Sequence, residues 1–275
     1  MTSYKLKLIA IITMLIDHTA KIFGQAALLL LFPDQWEGTA MTLRIMGWIG
    51  RIAFVLFAFM IAEGCAKTRS MPKYVGRLAL FAVISQPFYH LAFGRAGQYS
   101  ESGIADALLS LQKPDNIFVV LTLGAAAIWA FQGLKQLKRK WLIWLTIPVL
   151  AVTCLIASYV HTGYDGWGVA LIFGFYLLRS QRFKVTWAAA WAIVFYGLFS
   201  SWNGTTFAWV PIRVIPVPAI EQILMGIMPC LAACIAAVLI RFYNGERGRR
   251  AKWVFYAFYP AHLAVLSALN AALWR

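Results

Sequence analysis

Asp17 and His18 stand side by side inside a long apolar run that begins after Lys7. At about 1.5 Å per helical residue, they lie roughly 15 Å along that run, near the midplane of a bilayer. A charge at such a depth costs about 2.5–3.5 kcal/mol on insertion scales, so an ionisable residue there normally faces a partner or a cavity. Arg51 lies well inside a second apolar run that Glu63 closes, and His262 follows Tyr259 by three residues in the last one. An imidazole has a reference pKa of about 6.5 and can take a proton near neutrality, the property a general base needs. The bland alternative is that Asp17, His18, Arg51 and His262 satisfy one another as buried polar glue. Neighbouring helix positions diverge by about 100°, so Asp17 can also turn from His18 toward Lys21 or Arg51.

Other chemistries find no foothold. The chain has no phosphate-cradling lysine loop, no G-x-S-x-G elbow and no H-E-x-x-H pair. Cys65, Cys154, Cys230 and Cys234 form no C-x-x-C unit and have no histidine at ligand spacing, so they read as small packing residues and no metal is expected.

The elements that must carry these residues are membrane helices. The 275 residues are 61% hydrophobic and only 13% charged, against roughly 45–50% apolar in soluble domains. Apolar runs predict nine spans, at Leu8–Leu31, Leu43–Cys65, Val75–Phe93, Ile117–Gly133, Trp141–Val160, Gly163–Leu178, Val185–Trp202, Ile220–Phe242 and Trp253–Leu273. The fold class expected is all-α, a polytopic helical bundle in one integral domain over 1–275, with no internal repeat. The first run is too long for a signal peptide and carries charges near its middle, so it is expected to be retained.

The formal charge of +15 raises the idea of a nucleic-acid partner, but its distribution argues against one. Alternate connections hold Lys5 and Lys7; Lys67, Arg69, Lys73 and Arg77; Lys135, Lys138, Arg139 and Lys140; Arg179, Arg182 and Lys184; and Arg241, Arg247, Arg249, Arg250 and Lys252. The other face has only Arg44, Arg95, Lys113, Arg213 and Arg275. That asymmetry predicts a cytoplasmic N-terminus and an outer C-terminus. Two long outer connections, one with Glu101, Asp106 and Asp115 and one with Trp209, Pro211, Pro216 and Pro218, could cover a site from outside. The prolines of the second rule out a regular spanning helix there.

Several segments together resemble the TraX family of membrane acetyltransferases, whose founding activity is acetylation of the F-pilin N-terminus. They are Ile16-Asp17-His18, Gly50-Arg51-Ile52-Ala53-Phe54, Ala62-Glu63-Gly64, Thr68-Arg69, Tyr74 with Arg77-Leu78, Ser85-Gln86-Pro87 and Asn116. The closing blocks Tyr243-Asn244-Gly245-Glu246-Arg247-Gly248 and Tyr259-Pro260-Ala261-His262 carry the resemblance most strongly, and it runs end to end. Val55 stands where the family has proline, and the block around Asp165 follows the family pattern only loosely. The family is distantly similar to transmembrane acyltransferases that include heparan-α-glucosaminide N-acetyltransferase.

The resemblance implies transfer of an acetyl group from cytoplasmic acetyl-CoA to an amine or hydroxyl acceptor, a pilin N-terminus or an envelope glycan, at a bacterial inner membrane. His18 would be the base, or would itself carry the acetyl group, with Asp17 favouring the imidazolium and Arg51 or Tyr259 donating to the oxyanion. Arg69, Lys73, Arg77 and Arg247 would hold the coenzyme A phosphates. Glu63, Tyr74, Gln86, Asn116, Asp165, Tyr259 and His262 would line the remainder of the pocket. Membrane lipid is a further partner, and a homo-oligomer stays open because lipid-facing and helix-facing apolar residues look alike. Two other readings remain: a proton-coupled transporter or flippase that uses Asp17, His18 and Arg51 as a relay, and an inert assembly factor.

Overall fold

The structure is a computed structural model that describes residues 1–31, 36–93, 110–112, 114–199 and 219–273. Glu101 and Asp106 of the first long connection, and the segment from Trp209 to Pro218 in the second, lie outside these residues.

Among the described residues the chain forms nine α-helices and no strand. They are α1 (Ser3–Leu31), α2 (Trp36–Lys67), α3 (Met71–Phe93), α4 (Ile117–Gln136), α5 (Thr146–Tyr159), α6 (Asp165–Leu177), α7 (Gln181–Ala192), α8 (Ala219–Arg241) and α9 (Lys252–Leu273). Each predicted apolar run has its helix among the described residues. The winding departs from a simple α-helix in three runs. α1 breaks at Gly24, with φ 61 and ψ −165. A 3-10 segment, Lys140–Leu145, precedes α5. The seventh run passes from α7 into a π-helix, Ile193–Phe199.

Among the described residues, four stretches are long and apolar enough to cross a membrane: Gly38–Lys67, Ser110–Gln136, Lys140–Tyr159 and Lys252–Leu273. Asp165–Leu177 and Ile227–Arg241 are apolar but shorter.

The chain folds into two compact units. One comprises Met1–Phe57, Gln181–Phe258 and His262–Arg275; the other comprises Ala58–Ser180 and Tyr259–Ala261. In the first unit the buried side chains include Leu6, Leu56, Tyr196, Ile240 and Leu263, and the Trp191 ring lies against Phe54 and stacks on Phe195. In the second unit the core holds Phe59, Leu78, Ile128, Leu171, Ile172 and Phe175, with Phe59 edge-on to Phe175 at 5.5 Å.

A backbone clamp closes one end of the first unit. Ser3 N donates to Glu246 O at 2.8 Å, Tyr4 N to Arg247 O at 3.1 Å and Asn244 N to Met1 O at 3.0 Å, and the Met1 ammonium donates to Phe242 O. Asn244 shapes the turn by accepting from Glu246 N at 3.1 Å and donating to the Glu246 carboxylate at 2.8 Å. Gly248 has a φ of +69, and a Cβ there would lie 2.6 Å from Thr2 Oγ1, so this position requires glycine on both counts. Tyr4 and Lys7 both rest on the Phe255 ring, which ties the start of α1 to the start of α9.

Candidate active site

Within the first unit, α1 and α9 bring two histidines that are 244 positions apart into hydrogen-bond contact. His18 Nδ1 lies 2.7 Å from His262 Nε2. The ring planes are 13° apart and the centroids 5.0 Å apart. That separation is what a 2.7 Å bond gives once the distance from each nitrogen to its ring centre is added, so the rings meet edge to edge in one plane rather than face to face.

One turn earlier on α9, Phe258 O lies 2.8 Å from His262 Nδ1, and the Phe258 ring packs nearly parallel to the imidazole at 4.9 Å. His262 is 6% exposed. A buried polar side chain without partners would be costly in such surroundings, and this one is bonded at both nitrogens.

One position away on α1, Asp17 uses its carboxylate differently. Its Oδ2 accepts from Lys21 Nζ at 2.6 Å in an i,i+4 ion pair. Asp17 is buried, and its Oδ1 meets no hydrogen-bond donor among the described residues. The carboxylate packs on the glycine face of α2: a Cβ on Gly50 would fall 2.7 Å from Oδ1 and nearer still to the Asp17 stem. The small residues that permit a close neighbour therefore make room for Asp17 itself.

Arg51 follows Gly50 and lies close enough to Lys21 for the two charges to repel. Its guanidinium sits 5.6 Å from the centroid of the Tyr196 ring. Tyr196 is 1% exposed and belongs to the π-helical segment; windings of that kind are frequent at functional sites. Lys21 thus lies within electrostatic reach of both Asp17 and Arg51, and a guanidinium in such a place suits a developing oxyanion. Sequence reasoning did not single out Tyr196, since nothing in an apolar aromatic run announces a π turn. It noted Lys21 only as an alternative partner for Asp17, a pairing the i,i+4 spacing signals.

Arg247 is exposed in the clamp turn of the same unit. Arg69, Lys73 and Arg77 belong to the second unit. Arg69 and Lys73 are exposed, and Arg77 lies over the Tyr74 ring at 5.6 Å. None of these four joins an ion pair among the described residues, and Arg77 Nε is buried without an acceptor there. Guanidinium and ammonium donors without an acidic partner are the kind that phosphate groups take.

The remaining pocket candidates fall in the second unit, and much of their bonding is intramolecular. Glu63 pairs with Lys67 at 3.0 Å. Tyr74 lies against Gly64, where an added Cβ would approach the ring carbon Cζ to 2.8 Å. Asn116 caps α4 by accepting from Phe118 N at 3.0 Å, and its amide donates to Ala82 O at 2.8 Å and Gln86 Oε1 at 2.6 Å. Gln86 in turn donates to Asp115 at 2.8 Å. Tyr259 is 3% exposed, with its ring edge-on to Phe118 at 5.3 Å. Asp165 opens α6 at a φ of 46, with Oδ1 buried and unbonded among the described residues.

Comparison with known proteins adds a consistent signal. A family model described as TraX protein matches residues 3–270. The chain is also 28% identical over 268 residues to the probable fimbrial assembly protein FimC, serogroup H1, of Dichelobacter nodosus, covering 96% of this chain and 94% of that one. No solved structure matches.

Proposed function

Because this chain belongs to the TraX family, we propose that it is a membrane-embedded acetyltransferase that serves the assembly of a surface pilus or fimbria. Its relative from Dichelobacter nodosus is named for fimbrial assembly, which favours a pilin amine over an envelope glycan as acceptor. In this reading the helices cross the bacterial inner membrane nine times from a cytoplasmic N-terminus. Acetyl-CoA approaches from the basic cytoplasmic side and the acceptor from outside.

The observation that carries the proposal is the His18–His262 contact on apolar helices. An imidazole held in a fixed orientation by a hydrogen bond supports the reading of His18 as a base. His18 takes the proton of the acceptor amine as its nitrogen attacks the acetyl carbonyl carbon. The C–S bond of the thioester breaks, an N–C bond forms, and the proton passes to the departing thiolate. Arg51 donates to the oxyanion that develops during attack, with the Asp17–Lys21 ion pair beside it. Acetyl-CoA supplies the activated acyl group; Arg69, Lys73, Arg77 and Arg247 are its proposed contacts at the nucleotide end.

Purified protein in lipid vesicles should acetylate a pilin N-terminal peptide, or slowly hydrolyse acetyl-CoA. His18→Ala should lower that rate by about 10²–10⁴-fold, the usual contribution of general acid–base catalysis. Equal rates for wild type and variant would refute the assignment. Replacing Arg69 and Lys73 together with Ala should raise KM for acetyl-CoA about tenfold or more with little change in kcat, as lost ground-state binding does. Uptake driven by a pH gradient, without acetyl-CoA, would point instead to a transporter.

A further inference from the structure

We infer that His262 is a positioning residue that sets the tautomer of His18 and places its basic lone pair on Nε2. The inference deepens the acetyltransferase reading and, for its kinetic consequence, rests on it.

The argument starts at Phe258. A backbone carbonyl can only accept, so at 2.8 Å the His262 Nδ1 must carry a proton. In a neutral imidazole one nitrogen donates and the other accepts, so His262 Nε2 presents a lone pair to its neighbour. At 2.7 Å that neighbour, His18 Nδ1, must supply the proton. The second nitrogen of His18, Nε2, is then the one that holds the lone pair.

The reversed arrangement fails locally. It would need a proton on His262 Nε2, and Nδ1 would then either face the Phe258 carbonyl lone pair to lone pair or make the ring a cation. His262 is 6% exposed, so neither a buried repulsion nor a buried charge is relieved by water. The Phe258 ring, 12° from parallel to the imidazole, opposes the flip about Cβ–Cγ that would carry both nitrogens away from their partners.

This chain of carbonyl, imidazole and imidazole does the work that a buried carboxylate does in serine hydrolases, where losing the correct tautomer costs about 10⁴ in kcat. The difference lies in charge. A carboxylate neutralises the imidazolium, whereas His262 is a neutral acceptor that shares the proton. When His18 Nε2 takes the acceptor's proton, the Nδ1–H of the resulting cation points at a lone pair already in place. No bond has to reorganise, and the two rings carry the charge together.

The test uses the full chain in lipid bilayers with ¹⁵N-labelled histidine. His18 should show a protonated Nδ1 and a ¹⁵N–¹⁵N coupling across its hydrogen bond to His262 Nε2, and His262→Ala should abolish the coupling. His262→Gln keeps an accepting oxygen near the place of Nε2 and should preserve the Nδ1–H form of His18.

In the kinetic arm, His262→Ala should lower kcat about 100-fold or more while KM for acetyl-CoA stays within about twofold, and His262→Gln should recover most of the loss. A wild-type His18 protonated on Nε2, or a folded His262→Ala protein transferring at the wild-type rate, would overturn the inference. If the spectra show the coupling while wild type transfers no acetyl group, the enzymatic reading falls and the tautomer assignment stands.

Discussion

Two regions of this molecule put strongly polar side chains into apolar helices, and they use them in opposite ways. In one, Gln86, Asn116 and Asp115 form a closed circuit around the start of α4: the Asn116 oxygen caps the helix, its amide is shared between Ala82 O and Gln86, and Gln86 reaches Asp115. In the other, His18 and His262 bond ring to ring beside Asp17, Lys21 and Arg51.

Amides cannot take a proton, and in the first circuit Asn116 caps α4 while Gln86 bonds Asn116 and Asp115. Imidazoles can, and the second arrangement leaves a defined nitrogen as acceptor. Depth in an apolar helix is therefore a weak sign of chemistry by itself; the stronger sign is a group able to change protonation and held in one tautomer.

The contrast can be broken from either side. Gly50→Val should have the largest effect on the protein as a whole, because its Cβ would occupy the space of the Asp17 side chain. Overpacking of that kind costs about 1–3 kcal/mol, read as a lower melting temperature in detergent, and displacement of Asp17 should also reduce acetyl transfer. A Gly50→Val protein with wild-type melting and wild-type rate would show that Asp17 has room to spare and that this face of α2 is not part of the site.

Asn116→Ala should act more weakly, by the roughly 0.5–2 kcal/mol that a lost N-cap costs, again read as a drop in melting temperature. Asn116→Ser, which keeps a neutral capping oxygen, should recover part of the loss. If Asn116→Ala instead left melting unchanged and raised KM for the acceptor, the amide circuit would be a binding site and the contrast between the two regions would collapse.

Much of the architecture was legible from apolar runs alone. Residue spacing also offered Lys21 beside Arg51 as a partner for Asp17, because an i,i+4 contact lies within one helix and needs no tertiary structure, and the structure pairs Asp17 with Lys21. Asn116 caps α4, and Gln86 accepts from its amide and donates to Asp115. A sequence cannot tell a capping amide from a ligand-binding one, since both are polar groups beside an apolar run. The π turn that sets Tyr196 beneath Arg51 was equally invisible, because winding depends on how the neighbouring helices press on the run.

By itself, the sequence determined that this chain is helical and apolar, that its charges are segregated along it, and that a histidine and an aspartate lie deep in the first helix. Those properties follow from composition and short spacing, which act locally. Only the tertiary structure decided that His18 meets His262 and that a carbonyl on α9 dictates which nitrogen holds the proton. That contact joins residues 244 positions apart, and hydrogen-bond direction between two rings is fixed by ångström-scale packing that no periodicity encodes.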